Sequence, residues 1–217
     1  MFYKMLSQSI LAIDTDNLQD ALELGERVKG QVYTVKLGLQ FFNAHGKEGV
    51  RKFNNLGYNN LMLDLKLHDI PKTVYKAIKS LGDISFGYIT IHGQGGREMI
   101  DAAKFAASEI SCNPEIMMVT VLTSISYDGV KDYVKDLTLM AKDHCVGVIC
   151  SGLEASMVRD VLGPVNLIFT PGIRFQTQDT ECHQRTCTPE QSLGDGANKI
   201  IIGANCLNHM IQSSSSK

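Results

Sequence analysis

Short apolar runs alternate with longer amphipathic stretches from one end of the chain to the other. The runs at Ile10–Asp14, Val32–Gly38, Leu61–Lys66, Tyr88–His92, Ile116–Thr123, Val146–Cys150, Leu167–Thr170 and Lys199–Gly203 predict eight strands. Several are continuous, as in Ile200-Ile201-Ile202, the pattern of parallel strands covered on both faces. Between them, apolar residues fall at helical spacing. Leu18, Ala21, Leu22 and Val28 follow a cap at Asp16, and Leu39 to Phe53 continues the pattern. Val74, Ala77, Ile78 and Leu81 share a helix face, as do Met99, Ala102, Ala103 and Ala106. Later helices are expected over Val130–Ala141, Leu153–Val161 and Pro189–Leu193. Eight strand–helix units in about 200 residues fit a single-domain (β/α)₈ TIM barrel. A doubly wound open sheet is the alternative, because periodicity does not reveal closure.

One stretch breaks the rhythm. Residues 175–188 are polar, rich in Gln and Thr, and lack an apolar period, so they are expected to form a lid loop. The tail, 213–217, is expected to fray.

Composition narrows the function classes. The chain has 217 residues, 44% hydrophobic and 20% charged, with net charge −2. No basic block favours nucleic acid, and no apolar stretch spans a bilayer. The N-terminal residues lack the apolar segment of a secretory signal, so a cytoplasmic, reduced protein is expected. Six cysteines are scattered without a C-x-x-C pair. Cys182, His183 and Cys187 come closest to a metal-ligand set, but no second cluster supports them, and free thiols are the simpler reading.

The expected strand ends carry the chemistry. Strand one ends in Asp14, strand two carries Lys36 before Gly38, and strand three ends in Asp64 and Lys66. On a strand, residues two apart share a face, so Asp64 and Lys66 are expected to project the same way. Pro71 then suits the first turn of a helix. Strand four ends at His92-Gly93-Gln94-Gly95-Gly96, read as a turn; strand five ends in Thr123-Ser124; strand seven runs into Thr170-Pro171-Gly172-Ile173-Arg174; strand eight ends in Gly203. A lone strand-end charge is often a solvated rim residue or a cap. In a barrel, however, all these ends converge on the one rim where active sites lie. Arg174 with the Gly172 and Gly203 backbones suits an anion, since loops after strands seven and eight commonly hold phosphate.

These segments resemble the orotidine 5′-phosphate decarboxylase family. The matching pieces are Leu11-Ala12-Ile13-Asp14, Val35-Lys36-Leu37-Gly38, Asp64-Leu65-Lys66-Leu67-His68-Asp69-Ile70-Pro71 with Thr73, Val119 to Ser124, and Thr170 to Arg174. The resemblance implies decarboxylation of orotidine 5′-monophosphate to UMP, with no metal or organic cofactor. It implies an array of Lys36, Asp64, Lys66 and Asp69, in which Lys66 protonates C6 and Asp64 faces the substrate carboxylate. Asp69 and Thr73 would reach the neighbouring site of a homodimer. Asp14 and Lys36 would hold the ribose, Thr123 and Ser124 would lie along the base, and Pro171, Gly172, Arg174 and Gly203 would surround the phosphate. Two positions depart from the family. Its Gly-Arg after strand eight reads Gly203-Ala204, and His183 stands where a phosphate-binding Gln is usual. Gln184, Arg185 or Asn205 could compensate. Lys72 replaces the usual Asn before Thr73. The rivals are a Mg²⁺-dependent sugar-phosphate decarboxylase or aldolase sharing D-x-K-x-x-D, and a catalytically weak phosphate-ligand binder.

Overall fold

The structure, a computed structural model, describes residues 2–174 and 185–215. Eight parallel strands close into a barrel in sequence order, β1 pairing with both β2 and β8. They are β1 Ser9–Ile13, β2 Thr34–Gly38, β3 Met62–Leu67, β4 Tyr88–His92, β5 Glu115–Val119, β6 Gly147–Ile149, β7 Ile168–Thr170 and β8 Lys199–Ile202. Closure excludes the open sheet. Helices α1 Phe2–Leu6, α2 Leu18–Val28, α3 Leu39–Asn55, α4 Pro71–Lys79, α5 Gly96–Ser108, α6 Val130–Asp143, α7 Ala155–Leu162, α8 Pro189–Gly194 and α9 Ala204–Ser215 alternate with the strands. Among the described residues no helix is long and apolar enough to cross a membrane.

Two apolar layers hold this together. Outward residues such as Leu11, Leu37, Leu63, Ile89 and Val148 pack under the helices. Inward residues Ile10, Met62, Tyr88, Met117, Phe169 and Ile201 fill the lower barrel. The floor is aromatic: Tyr88 packs edge-on against Phe169 at 5.1 Å, and its hydroxyl meets that of Tyr33 at 2.6 Å. Lys199 Nζ lies 3.7 Å from the Tyr33 ring centroid. The barrel is therefore closed below, and its open space lies at the C-terminal mouth.

Local details correct several expectations. The cap of α2 is Asn17, not Asp16: its side chain accepts from Gln19 N at 2.9 Å and Asp20 N at 3.2 Å. β5 ends at Val119, so Thr123 and Ser124 lie in a loop rather than at a strand end. α3 is interrupted at Gly46, whose φ of +52° lies outside helical space. The expected turn at Gly93 is a 3₁₀ turn, Gly93–Gly95, leading into α5. α1 and α9 have no counterpart in the periodicity reading, and α9 extends to Ser215 in the segment expected to fray. Of the expected lid, 175–184 lie outside the described residues. Its described end is packed wall: Arg185 and Cys187 are buried, Cys187 bridges to Ile173, and Thr188 caps α8.

Candidate active site

β3 does not stay regular to its end. Leu63 pairs with Ile89 and Leu67 with Ile91, so four steps on β3 oppose two on β4. The excess is a bulge, and Lys66 within it has φ +46°. A left-handed lysine costs on the order of 1–2 kcal/mol. Thr90 secures it: its hydroxyl oxygen accepts from Lys66 N at 2.7 Å and its proton goes to Asp64 Oδ1 at 3.1 Å. The expected common face of Asp64 and Lys66 is thus reached through a bulge, not through strand alternation.

The resulting charge cluster is compact. Asp64 Oδ1 accepts from Lys66 Nζ at 2.8 Å. Asp64 Oδ2 lies 3.3 Å from Lys36 Nζ, which also reaches Asp14 Oδ1 at 3.4 Å. Asp64 and Lys36 are nearly inaccessible, at 7% and 9% exposure. Burial pushes the Asp64 carboxyl up, but Lys36, Lys66 and the hydrogen bonds from Lys66 and Thr90 outweigh it, leaving its pKa below the ordinary carboxylate value. It is an anion held between two cations in a poorly hydrated place.

Behind this cluster sits a histidine pair. The rings of His68 and His92 lie 5.5 Å apart, and His92 Nδ1 is buried without a hydrogen-bond partner among the described residues. Burial, then His68 and Lys66, lowers the His92 pKa, which favours the neutral ring.

These side chains line a cavity of ≈ 480 Å³ at the barrel mouth. Asp14, Lys36, Asp64 and Lys66 form one end, Thr123 and Ser124 one side, and Pro171, Gly172, Arg174 and Gly203 the far end. The remaining wall is apolar: Val119, Val121, Leu122, Ile149, Cys150 and Ile201. Burial raises the Cys150 thiol pKa to about 12, so it serves as a neutral surface. At the far end, Gly172 turns with φ +73°, and Arg174 donates to Ile173 O at 2.8 Å. A Cβ on Gly203 would meet nothing within 4 Å, and α9 begins at the next residue. A helix start, an arginine and open glycine backbone together suit an anion.

Other expected site residues lie elsewhere. Asp69 and Thr73 are exposed and do not line this cavity; Asp69 Oδ1 accepts from Ile70 N at 2.7 Å. Ala204 is half-buried just beyond the lining. Arg185 does not stand in for the missing arginine: its guanidinium is buried against Glu154 and the carbonyls of Val121 and Leu122. His183, Gln184 and Cys182 lie outside the described residues. No group of three or more His, Cys, Asp or Glu among the described residues is arranged to hold a metal ion.

Sequence reasoning missed Thr90, the apolar wall and the Arg185–Glu154 pair. Thr90 had one signal, a polar residue at the inward position between Tyr88 and His92 on an otherwise apolar strand.

Known proteins are similar to this chain in sequence and fold. The sequence pattern of the orotidine 5′-phosphate decarboxylase / HUMPS family matches residues 7–209. The orotidine 5′-phosphate decarboxylase of Paramagnetospirillum magneticum is 38% identical over 92% of this chain and 91% of its own length. That of Rhodospirillum rubrum is 36% identical over 89% and 84%. The crystal structure of orotidine 5′-phosphate decarboxylase from Lactobacillus acidophilus superposes with a TM-score of 0.77 at 30% identity, covering 97% of this chain and 98% of that one. With its closed barrel, its charged mouth and this likeness along nearly its whole length, the chain belongs to the orotidine 5′-phosphate decarboxylase / HUMPS family.

Proposed function

We propose that this protein decarboxylates orotidine 5′-monophosphate to UMP, and that the ring carboxylate faces Asp64. The observation that carries the reading is an ionised Asp64 fixed between Lys36 and Lys66 at the charged end of a cavity whose other end suits a phosphate. The apolar wall between them offers a flat surface for a pyrimidine. A substrate carboxylate brought to Asp64 meets a like charge, which disfavours the bound ground state. That repulsion fades as CO₂ leaves. The electron pair left on C6 is stabilised by the Lys66 ammonium, which is already in place and needs no reorganisation, and Lys66 then delivers its proton to C6. Lys36 keeps Asp64 ionised and, with Asp14, meets the ribose hydroxyls. Arg174 and the start of α9 hold the phosphate, whose binding energy positions the distant reacting carbon.

The donor set argues against a divalent metal at Asp64. Its Oδ1 already accepts from Lys66 and Thr90 and its Oδ2 is paired with Lys36, and a cation would have to displace two ammonium groups. EDTA-treated protein should therefore still bleach the orotate absorbance; loss of turnover restored by Mg²⁺ would favour the sugar-phosphate enzymes.

The working unit in this reading is a homodimer. Asp69 and Thr73 are exposed and do not line their own cavity, neighbouring Ile70 is 66% exposed, and Leu39 is 50% exposed. Such residues fit a face covered by a second copy that receives Asp69. Mixing Lys66→Ala and Asp69→Ala proteins tests this. Hybrid dimers would contain one intact site, so a statistical mixture should regain about a quarter of wild-type activity. No recovery after subunit exchange would confine Asp69 to its own subunit. A cytoplasmic location suits the free thiols at Cys112, Cys145, Cys150, Cys187 and Cys206.

A further inference from the structure

Arg185 ties together three loops at the barrel mouth without lining the cavity. Its backbone N–H donates to Thr123 O at 3.2 Å, and its carbonyl accepts from Ser151 Oγ at 3.2 Å. Its guanidinium pairs with Glu154 and donates to Val121 O and Leu122 O, each at 3.0 Å. Glu154 in turn accepts from Ser151 N at 3.2 Å through its other oxygen. Both partners are buried, Arg185 at 6% exposure and Glu154 at 2%.

The place where these bonds land matters. β5 ends at Val119, and Thr120 makes a last sheet-like bond to Ile149 O at 3.0 Å. The next three residues leave the sheet, and Arg185 bonds the carbonyl of each one. Those same residues, with Ser124, form the side of the cavity along which a pyrimidine would lie. A planar guanidinium can serve two carbonyls and a carboxylate at fixed angles, which a lysine ammonium cannot do in the same geometry. The carboxylate makes burying that fork tolerable.

We propose that Arg185, held by Glu154, is a positioning residue that sets the Val121–Ser124 wall against the substrate base. The proposal rests on the decarboxylase reading and assigns Arg185 to the base, not to the phosphate. Its effect should therefore depend on whether a ligand carries a base.

Wild-type turnover of orotidine 5′-monophosphate tests the decarboxylase reading by itself. The positioning role is tested separately, by calorimetric binding of UMP and of ribose 5-phosphate to wild-type and Arg185→Lys dimers. Lysine keeps the charge opposite Glu154 but loses the fork. UMP affinity should fall about tenfold, with KM rising by the same factor, while ribose 5-phosphate affinity stays within twofold. Equal losses for both ligands would reduce Arg185 to a general fold stabiliser, and unchanged UMP affinity would remove it from positioning altogether. Should Arg185→Lys not fold, Ser151→Ala removes the hydroxyl tether to Arg185 O, together with its cap on Leu153 N, and keeps both charges. It should weaken UMP about threefold and spare ribose 5-phosphate. A loss shared equally by the two ligands, or no loss, overturns the proposal there too.

Discussion

The two ends of the cavity are built on different plans. At the end formed by β1 to β4, the two buried charges are each held more than once: Asp64 by Lys36, Lys66 and Thr90, and Lys36 by Asp14 and Asp64. At the end formed by β7 and β8, the described lining residues supply one charged side chain, Arg174, together with glycine backbone and a helix start. The first end cannot give way without losing the alignment on which chemistry depends. The second, in the proposed reading, needs only to attract a phosphate dianion, and attraction tolerates looser geometry. An arginine of the family pattern can therefore be missing at Ala204 while the charge cluster stays whole.

The most direct way to break this contrast is to remove the proposed proton donor. Lys66→Ala should lower kcat by about 10⁴-fold or more, with the circular dichroism spectrum and the cavity's phosphate affinity unchanged. Substantial residual turnover would take protonation away from Lys66. Adding charge at the opposite end should act on binding instead. A charge-assisted hydrogen bond is worth about 1.5–3 kcal/mol, so Ala204→Arg should lower KM by roughly 10- to 100-fold with little change in kcat. An unchanged KM would mean that other groups already supply that contact. Thr90→Val keeps the shape of a fully buried residue while deleting both its bonds. Because the Lys66 N–H then loses its partner, kcat should fall about tenfold and stability by about 1–3 kcal/mol. A variant with normal kcat would show that the bulge holds Lys66 unaided.

The smallest effect concerns pH. The His92 pKa lies below its ordinary value because the ring is buried and faces His68 and Lys66. A depressed histidine stabilises the fold fully above the unfolded value near 6.5, and that contribution is lost as pH falls toward the folded value. The melting temperature of wild type should therefore drop more between pH 7.5 and 5.5 than that of His92→Asn. Equal drops would assign the slope to other groups. Asp64 is depressed too, but from a lower starting point, so its contribution is lost only as pH falls below about 4.

The barrel was legible because parallel strands buried on both faces read as uninterrupted apolar runs, and Ile200-Ile201-Ile202 falls within β8 as expected. The strand-end charges were legible because each stood at the edge of such a run. The bulge in β3 was not, since Asp64-Leu65-Lys66-Leu67 reads as plain alternation and only cross-strand register exposes the extra residues. Thr123 looked like a strand end because Val121 and Leu122 continue the apolar run after β5 has stopped pairing. Arg185 looked like part of a polar loop, because its partner Glu154 stands 31 positions away and nothing local announces a buried ion pair.

The bend that carries Lys66 bears on any attempt to move this chemistry into another scaffold. On a flat strand, an acid and a lysine two places apart have Cα atoms roughly 6.5 Å from each other and stand side by side. Here the main chain itself swings the second one inward, with a threonine on the adjacent strand as its stay. A graft that copied only the two side chains would omit the part that aims them.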